Sequence, residues 1–179
     1  MTNPSSIDIS PTPDVLIALT NTPLRPLDAI CELIDNGIDA FTAAELEGNR
    51  IENPWIQIQV PGVAQVKRGE GVIRITDNGA GLDKAGLERA LTAGFSSKNQ
   101  FDTLGLFGMG FNIASGKLGM KTVVTTTRKS DDYALQTVLD LPNLQQGRTF
   151  ILEILEVEKP SDFTSGTMVE ISGWWPEGT

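Results

Sequence analysis

The sequence predicts an α+β fold, a two-layer α/β sandwich in which helices cover one face of a mixed, largely antiparallel sheet. Two observations predict it. Helical periodicity is concentrated early in the chain and strand-like alternation late, the order expected when helices and strands segregate into layers. No internal repeat or low-complexity linker divides the 179 residues, a length and composition (40% apolar, 21% charged) that support one core.

The elements follow in order. Residues 1–12 are polar and proline-rich and are expected to extend as an arm. Residues 13–19 suit a short helix, with Thr12 as its cap and Pro13 in its first position; residues 21–23 break it. Pro26 opens the main helix, expected to reach about Phe41 or a little beyond. A loop at 48–54 leads to an alternating strand at 55–60. A turn-rich connection at 61–71 leads to a second strand at 72–76, ending at Asp77. Asp83 can cap a helix carrying Leu87, Ala90 and Leu91 that ends near Gly94. Residues 95–105 read as a mobile loop, and 111–118 as a helix. Strands are expected at 121–127, 133–139, 150–157 and 167–174. The chain closes on Trp174, Trp175 and Pro176 with no closing element, so residues 13–179 are expected to be one domain cut from a longer protein.

The main helix carries the chemistry. Leu27, Ile30, Cys31, Ile34, Ile38 and Phe41 recur at helical spacing, and this stripe, Cys31 included, is expected to pack in the core. At about 100° per residue, Glu32, Asn36 and Asp39 fall within about 60° of one another on the far side. Gly37 in that run costs a helix about 1 kcal/mol relative to Ala, and Asn and Asp are also poor helix formers. A face rich in oxygen ligands but poor in propensity suggests a site rather than a solvated surface.

Composition excludes several chemistries. With no His and one Cys there is no Ser-His or Cys-His nucleophile pair, no His or Cys zinc site and no intrachain disulfide. A formal charge of −9 argues against nucleic-acid binding by bulk electrostatics. No apolar run approaches a membrane span and no signal-peptide pattern opens the chain, so a cytoplasmic location is expected.

Two glycine-rich stretches stand where a chain can approach a ligand. Asp77-Asn78-Gly79-Ala80-Gly81 leads from a strand toward a helix, although Asn-Gly alone also marks a hairpin turn. Gly105-Leu106-Phe107-Gly108-Met109-Gly110 precedes a helix, where uncovered backbone N–H groups favour an anion. The second is not a Walker A loop, since five residues separate Gly110 from Gly116 and Leu118 follows Lys117. Neither fits the dinucleotide fingerprint, since Lys84 and Ile113 stand where its third glycine belongs.

In this order, Glu32-x3-Asn36-x2-Asp39-Ala40, Asp77-x-Gly79-x-Gly81, Gly105-x2-Gly108-x-Gly110 and Gly166-Thr167 resemble the ATP-binding domain of the GHKL superfamily, the Bergerat fold. The likeness covers about Leu27 to Ile171. The glycine box at 105–111 looks closest to the ninety-kilodalton heat-shock chaperones and Microrchidia ATPases, and Gly94 to Lys98 resembles the Microrchidia and MutL lid.

The resemblance implies ATP, with Mg2+, as ligand. It implies that Asn36 holds Mg2+ and that Glu32 deprotonates the attacking water, with Asp39 supporting the site. Asp77 would accept from the adenine amino group, with Gly79 and Gly81 close to the base and Thr167 reaching it through water. Gly105, Gly108 and Gly110 would form the lid hinge and phosphate cradle, and Lys98 a phosphate contact. The run Gly37-Ile38-Asp39-Ala40 resembles the hydrolase branch rather than the kinases. In that branch a basic or amide side chain from a following domain reaches the γ-phosphate, so turnover by this chain alone is expected to be slow. The reading is an ATPase domain whose nucleotide state gates lid closure and homodimerisation, with a protein or DNA client left open. The alternatives are a switch or clamp that holds ATP with little hydrolysis, and a kinase-type ATP domain.

Overall fold

A computed structural model of the chain describes residues 12–92, 110–161 and 163–175. Among the described residues, six helices and six strands follow in the order α1 (Asp14–Thr20), α2 (Pro26–Leu46), β1 (Ile56–Gln59), α3 (Val63–Lys67), β2 (Ile73–Asp77), α4 (Lys84–Leu91), α5 (Gly110–Leu118), β3 (Lys121–Thr127), β4 (Ala134–Asp140), α6 (Leu141–Gly147), β5 (Ile154–Val157) and β6 (Gly166–Ser172). The strands form one sheet in the order β1-β2-β6-β3-β4-β5, and every pairing among them is antiparallel.

Register and period-2 alternation sort the sheet into two faces. Ile73 and Ile75 stand opposite Ile171 and Val169, and Val124 opposite Val169, so these side chains share a face. Helices cover that face. Ala29 and Leu33 of α2 and Ala114 and Leu118 of α5 pack on Ile73, Ile75, Val169 and Ile171. Leu87 of α4 packs on Val124 and Leu135. Leu16 of α1 packs with Leu139, Leu141 and Leu144. The other face is more polar: Arg74 reaches both Glu170 and Gln59, and the Gln136 amide donates to Thr125. The two-layer prediction therefore holds.

The main helix differs from the prediction chiefly in the face it buries. It runs five residues past Phe41, and its buried line is Ala29, Leu33, Gly37 and Ala44. The expected apolar stripe is turned partly outward: Leu27 and Ile38 are 66% and 49% exposed and Cys31 is exposed rather than in the core, whereas Ile30, Ile34 and Phe41 are half-buried, Ile30 against the core. The reason is close approach. A Cβ on Gly37 would stand 2.9 Å from Ile56 Cδ1 and 3.5 Å from Asp77 Cβ, so the smallest residues face the sheet. Glu32, Asn36 and Asp39 consequently lie on the flank of the buried line, not diametrically behind it.

Two short helices occupy segments expected to be irregular or extended. The Gly62 N–H donates to Gln65 Oε1 at 2.8 Å, closing the first turn of α3 inside the 61–71 connection. Asp140 caps α6 through the Asn143 N–H, with Pro142 in the first turn. Strand β5 begins four residues later than expected, because its pairing with β4 starts only at Ile154 opposite Thr137. At α1 the cap position is Pro13, one residue later than expected, and the Thr12 hydroxyl donates to Asp14 instead.

Candidate functional site

The site lies where α2 passes over the ends of β2 and β6 and meets the start of α5. At one end is Asp77, the last residue of β2, opposite Thr167 of β6. Its Oδ1 accepts the Gly79 N–H at 2.8 Å and the Thr167 N–H at 3.3 Å. Oδ2 has no hydrogen-bond partner among the described residues. The half-buried carboxyl is pushed above its ordinary pKa by burial, against the pull of those two backbone N–H groups. One oxygen is thus fixed by the main chain and the other is left to accept from a ligand.

The glycines shape this end. A Cβ at Gly79 would stand 2.7 Å from Asp77 Oδ1 and 3.7 Å from Ala40 Cβ and Phe41 Cε1, so the carboxylate sits in a tight turn beneath α2. Gly81 has φ +71°, and a Cβ there would run into the Thr127 carbonyl. Among the described residues, what Gly81 approaches is the end of β3. Gly166 has φ +128°, and a Cβ there would collide with the Asp77 carbonyl. Asn78 does not face the site. Its amide joins the loop before β1, accepting the Trp55 N–H and donating to the Asn53 carbonyl. That double bond locks the turn, and the chain continues into α4, capped by Asp83 through the Gly86 N–H at 2.7 Å, rather than into a hairpin strand.

Thr167 has a partner that the sequence did not single out. Thr126 of β3, fully buried, places its hydroxyl 3.1 Å from the Thr167 hydroxyl. The same oxygen accepts the Leu82 N–H at 2.9 Å and donates to the Gly166 carbonyl at 3.0 Å. The signal was the run Thr125-Thr126-Thr127: in a strand one of the three must point with Val124 into the helix-covered face.

At the other end, Glu32 and Asn36 stand one helical turn apart on α2 and both are exposed, as is Asp39. A Cβ on Gly110, the first residue of α5, would be 3.4 Å from Glu32 Oε2. The positive end of the α5 dipole is therefore brought against the acid-and-amide flank of α2. From Glu32 to Gly37, which lies over Asp77, is about 7.5 Å along the helix axis. Gly110 thus meets Glu32 at one end, with Asn36 one turn further along α2, and Gly79 and Thr167 join Asp77 at the other, while Gly81 packs on the end of β3. Lys98, Gly105 and Gly108 lie outside the described residues.

The donor set fits a nucleotide better than a free metal ion. Among the described residues no group of three or more Cys, His, Asp or Glu side chains could hold a metal. Asn36 offers one neutral oxygen beside Glu32, which suits a Mg2+ whose remaining ligands are phosphates and water. No described helix is long and apolar enough to cross a membrane.

Comparison with known proteins agrees with this geometry. Residues 24–167 match the family model of histidine kinase-, DNA gyrase B- and HSP90-like ATPases. The chain is 29% identical over 110 residues to Protein MICRORCHIDIA 2 of Arabidopsis thaliana, covering 62% of this chain and 16% of that protein. It is 30% identical over 96 residues to Protein MICRORCHIDIA 1 of the same plant, covering 54% of this chain and 14% of that protein. The DNA mismatch repair protein MutL of Endomicrobium trichonymphae is 32% identical over 74 residues, 41% of this chain and 10% of that protein. The matched regions are thus a small part of the curated relatives. The motif order, the helix-covered antiparallel sheet and the family match agree: the chain belongs to the GHKL superfamily of histidine kinase-, gyrase- and HSP90-like ATP-binding domains.

Proposed function

We propose that this domain binds Mg-ATP and hydrolyses it, with α2 as the catalytic helix. The observation that carries the reading is the placement of the Glu32 carboxylate against Gly110 at the start of α5. A phosphate chain drawn to the α5 N-terminus would then lie beside a general base on one turn of α2 and an amide oxygen on the next. Bound through Asn36, Mg2+ would neutralise charge developing on the phosphates. Glu32 would orient and deprotonate water, Asp39 would support the flank, and Asp77 Oδ2 would accept from the adenine amino group. Lys98, Gly105, Gly108 and Gly110 would serve the phosphates and the lid. Lid closure over the nucleotide and ATP-dependent homodimerisation complete the reading. An exposed free Cys31 suits a reducing, cytoplasmic setting.

The test is paired. Calorimetry should detect ATP and ADP binding in the presence of Mg2+, and phosphate release should be slow but measurable. Sedimentation with and without a non-hydrolysable analogue tests dimerisation. Absence of ATP binding by the folded chain would overturn the reading. Tight ATP binding with no phosphate release, in this chain and in a longer chain supplying a γ-phosphate contact, would favour a switch that holds ATP without turning it over.

A further inference from the structure

Thr126 lies behind the residues that would face the base, yet its proton count constrains what they can do. A threonine hydroxyl has one proton and two lone pairs. An amide N–H can only donate and a carbonyl can only accept. The Leu82 N–H therefore occupies one lone pair of Thr126, and the Gly166 carbonyl takes its proton. The remaining contact, to the Thr167 hydroxyl at 3.1 Å, has one arrangement left: Thr167 donates and Thr126 accepts. The Thr167 proton thus points into the sheet, and only its lone pairs are free to face a ligand. Its cross-strand neighbour Asp77 likewise offers an acceptor, the open Oδ2.

We propose that Thr126 is a positioning residue that fixes Thr167 as an acceptor and thereby makes the base-facing end of the site acceptor-only. The ligand class that matches is a purine nucleotide with an amino group at its six-position, either in direct contact or through a water. A six-oxo purine brings a carbonyl to the same place and meets no donor from Thr167 or Asp77. This inference rests on the nucleotide reading above and adds to it a residue that touches no ligand.

The probes are ATP and inosine triphosphate, which share sugar and phosphates and differ at the six-position, amino against carbonyl, and at the adjacent N1, which carries a proton only in the six-oxo base. Thr126→Val keeps shape and removes the hydroxyl, which frees the Thr167 proton to turn outward. Loss of the Leu82 contact alone should weaken both nucleotides together, whereas release of the proton should change their ratio. The expected result is an ATP-to-inosine triphosphate preference about five- to tenfold smaller than in the wild type, the worth of about one hydrogen bond. Thr126→Ser should restore the wild-type ratio. On a Thr167→Ala background, Thr126→Val should leave the ratio unchanged, because the residue through which it acts is gone.

A second measurement needs no variant: neutron diffraction of the deuterated wild-type protein should place the Thr167 deuteron between the two hydroxyl oxygens. A deuteron turned toward the base site, or an unchanged ratio in folded Thr126→Val, would overturn the role of Thr126 while leaving ATP binding standing. A wild type that binds neither nucleotide would overturn the nucleotide reading itself.

Discussion

Replacing Gly166 by Ala perturbs the junction on which the site depends. Its φ of +128° lies in a region that is essentially restricted to glycine, at a cost of about 1–3 kcal/mol for other residues. The added Cβ would also overlap the Asp77 carbonyl, which belongs to the backbone of the neighbouring strand and cannot swing aside. Relief requires β6 to draw back from β2 at the Asp77–Thr167 pair. That movement strains two hydrogen bonds, Thr167 N–H to Asp77 and Thr126 hydroxyl to Gly166, each contributing about 1 kcal/mol. A total loss of roughly 3–5 kcal/mol follows, a large part of the stability of a typical domain. For a chain of this size it corresponds to a fall in Tm of roughly 6–20 °C. Denaturant and thermal unfolding of both proteins measure it, with nucleotide titration alongside. A Tm within about 2 °C of wild type would mean that the close approach of Gly166 to β2 is not a constraint, and the account of the Asp77–Thr167 corner would have to be abandoned.

Further outcomes follow from the same geometry. Glu32→Ala should keep Mg-ATP binding and lower hydrolysis by about 10²–10⁴-fold, checked by calorimetry against phosphate release; a variant that turns over like the wild type removes Glu32 as the base. Asp77→Asn should weaken ATP sharply and narrow the gap between ATP and GTP, because an amide can donate where a carboxylate cannot; equal ATP and GTP affinity in the wild type would refute the assignment. The same variant carries a pH signature. The native carboxyl titrates above its unfolded value, so between the two the native state holds more protons, and the contribution of Asp77 to stability falls as pH rises through that window. Asp77→Asn should therefore be at least as stable as wild type at pH 7, and its advantage should vanish at pH values below about 4, the ordinary aspartate range; an advantage that grows on acidification contradicts the burial argument.

Much of the fold was legible because local signals agreed with one another. Asp83 capping a helix after a glycine turn, Pro26 opening α2 and the β-branched run of β3 each appear where the sequence placed them. The short helix α6 carried a readable signal, Asp140 followed by Pro142, but in seven residues it was outweighed by the strand on its N-terminal side. Helix α3 depends on Gln65 reaching back to a backbone N–H, which composition does not reveal. At the candidate site, motif spacing singled out Glu32, Asn36 and Asp77, and the structure sets Glu32 beside Gly110 and Asp77 beside Thr167. Thr126 was not singled out, since a buried hydroxyl shared by three segments brings together residues 82, 126 and 166–167, and only the strand order juxtaposes them.

The rotation of α2 is the most informative disagreement between pattern and structure. Counting large apolar residues puts the buried face at Leu27, Ile30, Cys31, Ile34, Ile38 and Phe41 and the polar trio behind it. Had the helix packed that way, Glu32 and Asn36 would point away from the sheet and could not share a ligand with Asp77. The helix instead turns its small residues inward, Ala29, Gly37 and Ala44, with Leu33 between them. Burying Leu27 and Ile38 would have gained roughly 2 kcal/mol each. What replaces that gain is proximity: at Gly37 the helix comes close enough to Ile56 and Asp77 that even one methyl group would press on a neighbour. The flank bearing Glu32 and Asn36 then lies at the seam between α2, α5 and the ends of β2 and β6. On the proposed ATP-binding reading, the glycine that looked like a defect in propensity sets the distance between the two ends of the site.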